Sequence, residues 1–162
     1  MKNPTGAVIG IAVAATVAVV AVATMSGRVA AGRESAGSIY EFTDVREQTR
    51  QFHAYNRNIT LTPEQEAIME EALTPLEAPC CADRTALTCC CECNMARSWW
   101  GLSKHLIANE GRSAEEVRTA VREWFEYINP AGFSGDSCYT GGCGRPFHRN
   151  GCGGMKEDNL VF

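Results

Sequence analysis

The chain has 162 residues, room for one domain with appendages, and 15 basic against 19 acidic side chains give it a net charge of −4. No lysine–arginine cluster or basic–aromatic surface stands out, which argues against nucleic acid as a partner. Nine cysteines are the anomaly: an odd number cannot all pair within one chain, so at least one stays free, binds metal or pairs outside.

Residues 7–25 carry no charge and are almost entirely Ala, Val, Ile, Gly and Thr. As a helix they span roughly 28 Å, close to the hydrocarbon thickness of a bilayer. Residues 1–27 are therefore expected to be a membrane anchor, with a cleavable signal segment ending near Ala21-Val22-Ala23 as the rival. The anchor makes the membrane a partner, and either reading places the bulk of the chain outside the cytoplasm, periplasmic or extracellular, where disulfides are permitted, unless the anchor is inverted. Residues 28–60 read as a polar spacer with a short ordered piece around 39–45. His53 stands alone there and reads as a surface residue.

Thr62-Pro63-Glu64-Gln65 is a helix start, with Thr62 as cap and Gln65 completing a capping box. That helix is expected to run to Leu73. A second is expected from about Cys90 to Asn109, because Cys91, Met95, Trp99, Leu102 and Leu106 recur on one helical stripe. Gly111 closes it, and Ser113-Ala114-Glu115-Glu116 opens a third, with Val117, Ala120, Val121, Trp124, Phe125 and Ile128 on its apolar face. The short connection predicts an antiparallel hairpin. His105 is expected to face solvent, and Trp100 to be a half-buried surface aromatic. The predicted fold is mainly α: an anchor, a three-helix domain over 61–130, and an irregular tail over 131–162. That tail holds eight glycines and three cysteines before residue 155, so it needs disulfides, a metal or docking to order itself.

Six cysteines fall within fourteen residues: Cys80, Cys81, Cys89, Cys90, Cys91 and Cys93. Core packing does not call for that density. It points to soft-metal binding, dithiol chemistry or a disulfide knot. If the helix begins near Cys90, then Cys90 and Cys93 share a face, as do Cys89 and Cys93, at a helix N-terminus that favours thiolate. Cys91 would be buried in the stripe. One expected metal site is Cys89, Cys90 and Cys93, with Cys80 or Cys81 approaching from the loop. The tail offers another: Cys138, Cys143, His148 and Cys152, spaced C-x4-C-x4-H-x3-C, a complete tetrahedral set for zinc. No Ser-His-Asp spacing, phosphate-binding glycine loop or HExxH motif is present.

Cys90-Cys91-Glu92-Cys93-Asn94, then Gly111-Arg112-Ser113-Ala114-Glu115-Glu116-Val117, then Trp124-Phe125 and Pro130, resemble the CxxC three-helix domain of the periplasmic cytochrome c maturation thiol proteins. The likeness covers 62–130. It implies a membrane-tethered thiol–disulfide oxidoreductase that reduces apocytochrome cysteines, with Cys90 and Cys93 as the exchanging, catalytic pair. The chain departs from that family in lacking the Arg-Tyr-Gly after the third helix, in crowding the pair with extra cysteines, and in placing its anchor first. The leading expectation is therefore an anchored, non-enzymatic protein binding copper or zinc through thiolates. Thiol–disulfide exchange is the first alternative. A disulfide-stabilised accessory subunit of a larger membrane protein complex is the second.

Overall fold

A computed structural model of the chain describes residues Ser38–Phe162. The predicted anchor lies outside them. Among the described residues no helix is long and apolar enough to cross a membrane. Four helices dominate: α1 (Val45–Asn58), α2 (Pro63–Leu73), α3 (Asn94–Ala108) and α4 (Ala114–Ile128). A two-stranded antiparallel ladder, β1 (Glu77–Ala78) with β2 (Cys81–Thr85), links α2 to α3. Beyond α4 the regular structure is three single 3-10 turns, at Gly142–Gly144, Phe147–Arg149 and Glu157–Asn159.

The predicted capping boxes form. Thr62 and Ser113 accept from the backbone N–H of Gln65 and Glu116, whose side chains reach back to the cap N–H. The stripe Met95, Trp99, Leu102 and Leu106 is fully buried against Val117, Val121 and Trp124. Trp124, near the end of α4, donates through Nε1 to Ser98 Oγ near the start of α3 at 2.9 Å, so the two helices run antiparallel as expected. Arg118 of α4 donates to the last carbonyls of α2, Glu71 O at 2.8 Å and Ala72 O at 3.2 Å. A cation on those orphan acceptors ties α2 on as a further wall. Trp99 and Trp100 both donate to Ala86 O at 2.9 Å, and Trp100 is half-buried as anticipated.

Two departures concern the stretch expected to be a spacer. Its second half is α1, capped by Asp44, whose carboxylate accepts from Glu47 N at 2.7 Å. Its inner face is Gln48, Thr49, Phe52 and His53, which is why hydrophobic patterning missed it. Those polar groups are buried with partners: Gln48 bridges Thr43 N and Glu41 O, Thr49 donates to Val45 O, and His53 Nε2 donates to Asn94 O at 2.8 Å. His53 is thus a core residue joining α1 to the first residue of α3. His105 is also partly buried, stacked on Tyr55 with ring centroids 4.3 Å apart, its Nε2 3.3 Å from the Glu110 carboxylate.

α1 lies along α3 because Gly101 lets it. A Cβ at Gly101 would stand 1.8 Å from Phe52 O and 2.6 Å from its carbonyl carbon. Overpacking against backbone cannot be relieved by a rotamer change. Gly101→Ala is expected to cost about 3 kcal/mol or more in urea unfolding. Gly111→Ala, with φ +66 but open space, should cost only about 1 kcal/mol. Equal losses at the two positions would contradict the close helix contact.

Candidate metal centre

The helix predicted from Cys90 begins four residues later. Cys93 is its N-cap, in extended conformation, and its Sγ accepts from Ala96 N at 3.5 Å. Residues 89–92 therefore precede the helix, and the shared helical face expected for Cys90 and Cys93 does not exist. Upstream, Cys80 and Cys81 sit at the turn into β2. Cys80 is the last residue of that turn and Cys81 the first of β2, and these two join different groups.

The first group is Cys80, Cys93 and Cys152, with all three Sγ atoms within 4.8 Å of one another and all three residues 0 % exposed. Cys89 flanks this group: its interaction with Cys80 raises the Cys80 thiol and lowers its own. The second group is Cys81, Cys90 and Cys138, again mutually within 4.8 Å, with Cys90 exposed and Cys138 half-buried. Cys81 and Cys90 sulfurs are 3.7 Å apart. Cys91 Sγ completes a ring, 3.6 Å from Cys90 and 3.5 Å from Cys138. All nine cysteines are free thiols in the structure.

Each group draws one cysteine from the 80–81 pair, one or two from 89–93 and one from the tail. The tail is held in place for this by main-chain bonds. Cys138 N donates to Cys80 O at 3.0 Å, and Ala82 N donates to Gly135 O at 2.9 Å, which fastens the tail to β2. Asn94 N and Met95 N, free donors of the first turn of α3, give to Gly154 O and Cys152 O at 2.9 and 3.1 Å. The buried Asn94 amide adds bonds to Gly153 O and Lys156 O at 2.8 and 2.9 Å. Gly142 is required here, since a Cβ would meet Ser137 Oγ at 1.7 Å.

The electrostatics of the groups differ. Cys93 is pulled down to about 3 by hydrogen bonds from Cys152 and Cys80, helped by the Ala96 and Met95 N–H groups and opposed by burial. Cys80 moves up because its proton is engaged by Cys152, Cys89 and Cys93. Cys152 receives a bond from Cys80 that favours its thiolate, but the bond it gives Cys93, burial and neighbouring charge push it up. Cys89 is lowered, first by the bond from Cys80. The buried group therefore concentrates negative charge at the helix N-terminus. In the second group burial comes first: it pushes Cys81 up to about 11 and Cys138 up to about 12, and raises Cys91.

The two sites expected from sequence are thus redistributed. Cys89 and Cys93 stay together with Cys80, while Cys90 goes with Cys81. The tail set divides: Cys152 enters the buried group and Cys138 the exposed one. Cys143 and His148 enter neither, and His148 is exposed. Cys91, expected in the core stripe, is a half-buried member of the exposed ring. No family model, curated protein or solved structure matches the chain.

Cys93 has a folded pKa below its unfolded one, about 8.5. Its contribution to stability is present above the unfolded value and fades as pH falls toward about 3. Cys80 and Cys152 have raised values, so their contribution holds below about 8.5 and is lost as pH rises. The metal-free chain should therefore show thiolate ultraviolet absorption at about pH 6 that Cys93→Ser removes. Absorption starting only above about pH 8 in both proteins would contradict a charged Cys93.

Proposed function

We propose that this chain is a metal-thiolate protein that holds two soft ions, zinc(II) or copper(I), one in each cysteine group. The observation that carries this reading is the double three-way convergence of sulfurs. Thiolates about 2.3 Å from a tetrahedral zinc stand about 3.8 Å from one another, close to the 3.5–3.7 Å spacings of the exposed ring. A disulfide needs about 2.05 Å between sulfurs, and all nine cysteines are free thiols in the structure. A single cation satisfies all members at once and replaces the protons they otherwise share.

Cys80, Cys93 and Cys152, with Cys89 as the available fourth ligand, suit a closed structural site. Cys81, Cys90, Cys91 and Cys138 would hold the second ion. Softness of the donors selects zinc or copper over hard cations. The separation of Cys90 from Cys93 favours this reading over an exchanging pair of the cytochrome c maturation type. Residues 7–25 support a protein held at a membrane with its cysteine domain outside the cytoplasm, where it could serve a larger membrane complex.

Elemental analysis and a thiol count on the full-length chain, purified without oxygen, test the reading. We expect two equivalents of zinc or copper and at least six thiols that resist alkylation until a chelator is added, the number in the two trios. Chelation should also open the tail to proteolysis at Arg145 and Arg149 while α3 and α4 stay protected. Thiolate ligands must lose protons, so metal should leave on acidification. No metal together with a Cys90–Cys93 disulfide would instead support the thiol-exchange reading.

A further inference from the structure

We infer that the two sites divide the work: the exposed group is the exchange site, which passes its ion to an incoming thiol ligand, while the buried group keeps its ion as part of the fold. This rests on the metal reading above. Cys80, Cys93 and Cys152 are 0 % exposed. Cys93 and Cys152 stand at the junction where the first turn of α3 bonds to the tail, through Asn94 and Met95 to the carbonyls of Cys152, Gly153, Gly154 and Lys156. An incoming ligand cannot reach that ion without undoing the tail.

The second group is open on one side. Cys90 is exposed, and Cys91 and Cys138 are half-buried. None of the three is an element terminus held by a helix cap. Beside them Tyr139, 70 % exposed, is held upright by its hydroxyl bond to Asp83 at 2.9 Å. It gives an approaching molecule an aromatic contact at the rim. Cys90 is the ligand that can leave, because it alone of the group stands in solvent and its departure disturbs no main-chain bond to the tail.

The step is a ligand exchange. An incoming thiol loses its proton and forms a new metal–sulfur bond. The bond to Cys90 breaks, and the Cys90 thiolate takes up a proton from water. Repetition at Cys91, Cys138 and Cys81 completes the transfer. The ion's charge is unchanged, so no oxidant or reductant takes part.

The test is the rate at which zinc leaves the full-length, two-zinc protein for a chromophoric chelator, with and without glutathione. We expect two phases of equal amplitude, the fast one roughly tenfold or more quicker and accelerated by glutathione. Cys90→Ser should abolish the fast phase and keep the slow one, with far-ultraviolet circular dichroism unchanged. Cys143→Ser should keep both. Release in a single phase, a fast phase indifferent to glutathione, or a fast phase that survives Cys90→Ser would overturn the division. A protein that binds one ion, lost in Cys93→Ser but not Cys90→Ser, would overturn it while leaving the buried site intact. A protein that binds none would remove the metal reading itself.

Discussion

The structure depends on bringing sulfurs from two neighbouring chain segments, 80–81 and 89–93, and from the distant tail to two points. The Gly-rich tail has little apolar surface to bury, and its buried side chains are few: Phe147 and Cys152 are its contributions to the core. Ordering each residue costs about 1–2 kcal/mol of backbone entropy, which main-chain bonds alone hardly offset at about 1 kcal/mol each. A structural zinc site is worth about 10–16 kcal/mol. On the proposed reading, an ion joining Cys152 to Cys93 and Cys80 would add to those bonds in fastening the segment.

The helices provide the platform on which that join is made. α3 presents the first-turn donors Met95 N and Asn94 N to the tail and the Cys93 sulfur to the buried group. α1 reinforces the same corner through His53, which donates to the carbonyl of Asn94, the residue next to Cys93. α4 and α2 back α3 on its other sides through Trp124 and Arg118. The cysteine groups thus sit where the helical body, the β1–β2 turn and the tail meet.

Much of the helical body was legible in the sequence, because capping boxes and apolar periodicity are local signals. Thr62, Ser113 and the Met95–Leu106 stripe carry them. α1 was hidden because its inner face is built largely from Gln48, Thr49 and His53, whose burial is tolerated because each has a partner: Glu41 O for Gln48, Asn94 O for His53 and, within the helix, Val45 O for Thr49. The presence of a dense cysteine site was equally plain, but its partition was not. It turned on where α3 begins, and Cys93 is an unusual cap compared with Ser, Thr, Asp or Asn. Cys80 and Cys81 part because one closes the turn between β1 and β2 and the other opens β2, a boundary that no local pattern in the sequence marks. The tail's spacing suggested one site containing His148. The bonds Cys138 N to Cys80 O and Met95 N to Cys152 O, which send its cysteines to different places, are long-range and leave no local trace.

The most direct test of the central claim is X-ray absorption at the metal edge of the full-length, metal-loaded protein. The account predicts a first shell of sulfur alone, three to four per ion, at about 2.3 Å for zinc. Nitrogen in that shell, with the outer scattering of an imidazole, would put His148 back on the metal and contradict the two all-cysteine groups.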